Sequence, residues 1–170
     1  DNNMTRHSMS RQIASKLLII VMLLQAVGVL AQTEITSLSQ ITAANGNYKL
    51  GADISASSGL NMTFTGTLDG DYHIISGLSS ALFTTVNGGT LKNVILDNVS
   101  ISRGTNVGAI CNEATGNTKI YNCGVLSTNG SSVSGSGAVG GLVGLIQAGS
   151  NVRVVNCYNY ATVSGGTYAA

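Results

Sequence analysis

The feature that most constrains this chain is the run Gly137-Ala138-Val139-Gly140-Gly141-Leu142-Val143-Gly144-Leu145-Ile146, which is apolar, uncharged and carries Gly at four of ten positions. In a helix each Gly costs about 1 kcal/mol relative to Ala, and an isolated strand is weakened by Gly as well. Such a run is tolerated where another backbone layer comes close and side chains must be small. Weaker copies stand upstream at Gly108-Ala109-Ile110-Cys111 and Ala81-Leu82-Phe83-Thr84. A second pattern, aliphatic-x-Asn-small apolar, recurs at Leu91-Lys92-Asn93-Val94, Ile120-Tyr121-Asn122-Cys123 and Val154-Val155-Asn156-Cys157. The Asn residues are 29 and 34 apart (122 − 93, 156 − 122) and the Gly-type anchors 27 and 33 apart (108 − 81, 141 − 108). Two unrelated patterns that drift together mark a repeat, and a period of about 20 to 50 residues marks a stacked architecture. Each repeat reads as one coil of a winding, with small length changes absorbed in loops.

The local signals are those of strands. Short β-branched runs between Gly, Asn and Ser predict strands near Tyr48–Leu50, Phe64–Leu68, His73–Ile75, Leu91–Leu96, Val99–Ile101, Lys119–Val125 and Val152–Cys157. Alternation breaks at the Asn positions, which suits a corner, because Asn tolerates left-handed backbone. Asn93, Asn122 and Asn156 are then expected to stack as a ladder of side-chain amides between coils ~4.8 Å apart.

The motif Gly141-Leu142-Val143-Gly144 resembles the GLUG motif (Gly-Leu-apolar-Gly) of bacterial secreted surface proteins. The segment Phe64-Thr65-Gly66-Thr67-Leu68-Asp69-Gly70-Asp71-Tyr72-His73-Ile74-Ile75-Ser76-Gly77-Leu78 is similar to that family's lead-in, and the resemblance covers roughly residues 46–170. It implies an all-β fold, a right-handed parallel β-helix of the pectate-lyase-like kind. The family occurs in adhesin-like proteins and beside protease domains, which implies a scaffold more than a reaction.

The N-terminus reads differently. Arg6, Arg11 and Lys16 precede the apolar run Leu17–Leu30, with small residues at Val29 and Ala31. A basic segment, a short apolar core and a small-residue site make a cleavable signal peptide over residues 1–31. The run is interrupted by Gln25 and is short of the ~20 apolar residues a membrane span needs. Removing it takes Lys+Arg from 8 to 5 and Asp+Glu from 7 to 6, so the remaining 139 residues carry a net charge of −1. No basic stripe is left, so nucleic acid is not an expected partner. Residues 32–54 read as an N-terminal cap and first coil, and 55–170 as β-helix repeats. Thr162–Ala170 parallels Ser132–Ala138, just before the intact motif, so the repeats read as truncated at the C-terminus.

Little in the sequence points to catalysis. Asp69-Gly70-Asp71 with His73 is the densest polar cluster, and Asp-Gly is first a turn signal. A calcium loop of the EF type needs further ligands that are missing. His73 is the single His after residue 31, so neither a multi-His zinc site nor a His-Glu-x-x-His helix is available. The fold that the resemblance implies often carries polysaccharide-cleaving sites built from clustered carboxylates. Here Asp53, Asp69, Asp71, Asp97 and Glu113 are scattered, with Asp97, Glu113 and Arg103 able to approach on neighbouring coils. Three cysteines, Cys111, Cys123 and Cys157, read as buried apolar side chains. Cys123 and Cys157 occupy matching repeat positions, one coil apart. Asn61, Asn98 and Asn129 match the glycosylation sequon by composition alone.

The expected function is a secreted or surface-exposed structural and binding module of a bacterium, adhesin-like, without a cofactor, metal or catalytic site of its own. Its expected partners are surface glycans or proteins, met on a sheet face or on the loops 112–117 and 127–136, and the C-terminal continuation of the same chain. The alternatives are a carbohydrate-active β-helix enzyme and a non-catalytic spacer of a larger secreted protease.

Overall fold

The computed structural model describes residues 31–165 and the backbone strand Tyr168–Ala169. The expected signal peptide, but for Ala31, lies outside the described residues. The described chain is all-β: strands joined by turns, with one short 3₁₀ helix, Leu38–Gln40. After β1 (Thr33–Ile35) and that helix, the strands fall into five successive passes. The first holds β2 (Asn47–Leu50), β3 (Ile54–Ser55) and β4 (Leu60–Phe64). The second holds β5 (Thr67–Asp69), β6 (Ile74–Ser76) and β7 (Phe83–Asn87). The third holds β8 (Thr90–Lys92), β9 (Ile95–Asp97), β10 (Ser100–Arg103) and β11 (Cys111–Thr115). The fourth holds β12 (Lys119–Tyr121), β13 (Gly124–Val125), β14 (Ser132–Gly135), β15 (Ala138–Val139) and β16 (Val143–Ile146). The fifth holds β17 (Arg153–Val155), β18 (Tyr158–Asn159), β19 (Thr162–Ser164) and β20 (Tyr168–Ala169).

Each sheet takes its strands from these passes in chain order. The first sheet is β1-β2-β5-β8-β12-β17, the second β3-β6-β9-β13-β18, the third β4-β7-β11-β16 and the fourth β10-β14-β19, with β15 beside β20. The pairings are parallel throughout. Parallel pairing in register puts like residues in columns, so a repeat in sequence becomes a stack in space. Tyr48, Leu68, Leu91 and Ile120 form one buried column. Ile54, Ile75, Leu96 and Val125 form a second. Phe64 and Phe83, from adjacent passes, stack with ring centroids 4.4 Å apart and planes 10° from parallel.

The passes lengthen. In the first column successive partners are separated by 20, 23, 29 and 34 residues (68 − 48, 91 − 68, 120 − 91, 154 − 120). The extra length is not simply looped out. The third pass gains β10 and the fourth gains β15 as well, so a fourth sheet opens between the second and the third. Much of the two segments expected as binding loops, 112–117 and 127–136, is accordingly strand, in β11 and β14.

The strands expected as single runs over Leu91–Leu96 and Lys119–Val125 are each two strands, and the run expected over Val152–Cys157 holds β17 alone, with β18 following at Tyr158. They break at Asn93, Asn122 and Asn156, whose φ values are +55°, +52° and +52°. That left-handed conformation ends one sheet and starts the next. In the second pass Gly70, Asp71 and Tyr72 make the same corner, with φ of +47° at Asp71 and +63° at Tyr72.

Candidate functional site

The Asn corner is the most repeated polar feature. Asn122 Nδ2 donates to Asn93 Oδ1 at 3.3 Å, and Asn93 Nδ2 donates to Asp69 Oδ1 at 3.0 Å. Asn156 follows Val155, the register partner of Tyr121, and so takes the same position in the next pass. The amide chain therefore ends on a carboxylate. Asp69 is 8% exposed and also accepts from the Asp71 N–H, while its Oδ2 pairs with Lys92 Nζ at 2.9 Å. Burial pushes this carboxyl up, but the Asp71 N–H, the Asn93 amide and Lys92 outweigh it and hold it below its usual range. Asp71 turns outward and pairs with Lys49 at 2.8 Å. Asp69-Gly70-Asp71 is a turn, as its Asp-Gly signal suggested, and His73 stands apart from it: it meets Asp53 from the preceding pass at 3.2 Å, whose carboxylate also accepts the Ile74 N–H.

The Gly motif lies at the third sheet. Val143 pairs with Cys111, and Cys111 with Phe83. Gly141-Leu142-Val143-Gly144 therefore faces Ala109-Ile110-Cys111-Asn112, one residue on from the copy that sequence spacing aligned. A Cβ on Gly144 would run into the Val107 backbone nitrogen and, at 2.7 Å, the Asn112 carbonyl oxygen. A Cβ on Gly141 would meet the Asn159 side chain. Asn112 is 5% exposed; its amide bonds Asn106 O and Arg103 Nη1, each at 3.2 Å. Sequence reasoning takes Asn112 as the first residue of an expected loop, 112–117, whereas it is a buried residue of β11.

The remaining carboxylates stay apart. Asp97 is in the second sheet and accepts the Asn98 and Thr128 N–H groups at 2.8 and 3.0 Å. Glu113 is in the third, where it accepts from Asn106 and Gln147. Arg103 turns to Asn112. Among the described residues, no three of His, Cys, Asp and Glu come together as a metal-holding group.

Two concave places stand out on the surface. A polar groove of about 330 Å³ is lined by Asp53, Ser55, Ser76, Asp97, Asn98 and Asn129, among others. Ser55, Ser76 and Asp97 form one outward column; their even spacing of 21 residues (76 − 55, 97 − 76) was a legible signal that went unread. The second, about 400 Å³, lies at the fifth pass between Leu142, Val143, Val154, Cys157 and Tyr158. Around it Ile146, Val154, Val155 and Tyr160 are exposed, and β16, β17, β18 and β19 are edge strands. Cys123 is fully buried and lies opposite Cys157, which is partly open to this cleft, while Cys111 is fully buried in the third sheet. Burial, and less so Glu113, push the Cys111 thiol up to about 12. Among the described residues no helix is long and apolar enough to cross a membrane.

The sequence matches the family described as the M26 IgA1-specific Metallo-endopeptidase N-terminal region over residues 35–126, more than half of the chain. The chain belongs to that family. Among curated relatives, the immunoglobulin A1 protease of Streptococcus pneumoniae is 32% identical over 150 residues, covering 74% of this chain and 8% of the relative. That of Streptococcus sanguinis is 35% identical over 129 residues, covering 65% of this chain and 7% of the relative. Halomucin of Haloquadratum walsbyi is 34% identical over 137 residues, 64% of this chain but 1% of its own length. The chain thus spans less than a tenth of the length of these relatives. No solved structure matches it.

Proposed function

We propose that this chain is a non-catalytic scaffold segment of a larger exported bacterial protease related to the immunoglobulin A1 proteases. The five passes are the coils of a right-handed parallel β-helix. A signal peptide precedes them over residues 1–31, a cap and first coil occupy 32–54, and the repeats run from 55 to 170. Gly141-Leu142-Val143-Gly144 is its GLUG motif, Asn93, Asn122 and Asn156 are its corner ladder, and Cys123 and Cys157 stack beside it. The observation that carries this reading is the match to an N-terminal region of a metallo-endopeptidase family. The exposed apolar ends of the columns support it too, because they suit a face on which further polypeptide of the same chain packs.

The test is to compare the chain with a longer form carrying the residues that follow it in its parent polypeptide. The scaffold reading expects association of the shorter form by light scattering, relieved in the longer one, and no cleavage of immunoglobulin A1 by either without the protease part. Cleavage by the short chain alone would sink it.

A second reading, adhesin-like binding of a surface glycan, is favoured by the polar groove of Ser55, Ser76, Asp97 and Asn98. Its hydroxyls, amide and carboxylate suit sugar hydroxyls. Glycan-array binding that is lost on Asp97→Ala would support it, and an array without signal would remove it.

A further inference from the structure

We propose that Cys123 and Cys157 form a two-cysteine oxidation site, in which a small-molecule disulfide enters the cleft at the fifth pass and leaves an intrachain bridge between neighbouring passes. The position of the two thiols carries this. Gly124 pairs with Tyr158 and the Tyr158 N–H donates to Cys123 O at 3.1 Å, which sets Cys123 and Cys157 side by side on adjacent parallel strands. Neighbouring strands lie ~4.8 Å apart, inside the Cα range of about 4.4–6.8 Å that a disulfide spans. The side chains leave equivalent corners: Cys123 Sγ lies 3.2 Å from Tyr121 O, and Cys157 Sγ 3.3 Å from Val155 O, each two residues back. Cys157 Sγ also reaches Ile120 O of the preceding pass at 3.6 Å. The thiols are unequal in access. Cys157 lines the cleft with Leu142, Val143, Val154 and Tyr158, whereas Cys123 is fully buried behind it.

That inequality assigns the roles. The more open Cys157 meets an incoming disulfide first, and the neighbouring Cys123 thiol lowers Cys157, while Cys157 and burial raise Cys123. Cys157 is therefore the attacking thiolate. It adds to one sulfur of the small disulfide, whose S–S bond breaks; the departing thiolate leaves with the electron pair and takes a proton. Cys123 then gives up its proton and attacks Cys157 Sγ, and the second small thiolate leaves and is protonated. Two protein thiols are oxidised to one disulfide and one small disulfide is reduced to two thiols. Two equivalent side chains on parallel strands project in the same direction, so closing the bond requires one to change rotamer. The strain makes the bridge easy to reduce again. Its effect is to tie the exposed fifth pass to the buried fourth.

The experiment treats the folded full chain with oxidised glutathione, then measures free thiols, intact mass and the linked peptides. The expected result is loss of two of the three thiols, a mass lower by two hydrogens, a peptide joining Cys123 to Cys157, and full reversal by dithiothreitol. Cys123→Ala, which keeps the buried position apolar, should stop at a stable glutathione adduct on Cys157, and Cys111→Ala should behave as the parent. A persistent adduct on Cys157 in the parent chain, a bridge involving Cys111, a disulfide-linked dimer, or three unreacted thiols would each overturn the proposal. The parent-chain result stands whether or not a variant folds.

Discussion

The first and last described passes differ in burial. At the N-terminal end, β1 pairs with β2, and the 3₁₀ helix Leu38–Gln40 follows β1. Ile35, Leu38 and Ile41 are 0–4% exposed. Ser37 and Gln40 close a capping box around the 3₁₀ helix, and the Tyr48 hydroxyl bonds the Ala43 backbone. At the C-terminal end four sheets stop at an edge, and Val154 is 41% exposed although its column partner Ile120 is fully buried. The difference teaches that a residue's worth depends on its pass rather than on its type. The same column position, Tyr48, Leu68, Leu91 and Ile120 in turn, is core in four passes and, as Val154, surface in the fifth.

The largest effect should separate equivalent column positions. Leu91→Ala removes a fully buried side chain and should cost about 2–5 kcal/mol in denaturant unfolding. Val154→Ala should cost less than about 1 kcal/mol, since much of its side chain is already in water. Equal losses would mean the fifth pass is as well packed as the third.

Next in size is Gly144→Val. Its new side chain meets the Val107 backbone, a contact that cannot move aside, so a loss of more than about 1 kcal/mol is expected. Gly104 has open space around it, and Gly104→Ala should stay within about 0.5 kcal/mol. An unchanged melting temperature for Gly144→Val would break the packing account of the motif.

Val155→Lys tests the open end itself. Val155 is 43% exposed on edge strand β17, and charge on an edge opposes pairing with other chains. The variant should scatter less light at high concentration while melting at the parent temperature. Unaltered association would place the sticky surface elsewhere.

The smallest effect belongs to the Asp69 corner. Its folded carboxyl titrates below its unfolded value, so the stability it adds is present above the unfolded value, about 3.9, and is lost as pH falls through the folded one. Asp69→Asn should flatten the acid limb of the melting curve below pH ~4. An acid limb that matches the parent would remove this corner as a source of the pH dependence.

Much of the stacking was legible because it rests on spacing. Asn93, Asn122 and Asn156 all take positive φ, which their residue type accepts more readily than most. What was not legible depends on partners in neighbouring passes. The fourth sheet was half hidden: the strand expected near Val99–Ile101 is β10, but Ser132–Gly135 carries polar residues that also suit a loop, and only its pairing with β10 makes it a strand. The shift of one residue at Ala109 was hidden because Gly108 looks like a copy of Gly141, while the hydrogen bonds follow Cys111 and Val143. Asp53 and His73 are 20 residues apart and meet only because the first complete passes are the shortest.

Those short early passes carry a consequence for the order of assembly. Closing a loop costs more conformational entropy as it lengthens, and the separations rise from 20 to 34 residues along the chain. The least costly closures therefore sit beside the 3₁₀ helix at Leu38–Gln40. On that ground this corner of the molecule is expected to order first, as a seed crystal does, with later strands pairing onto it.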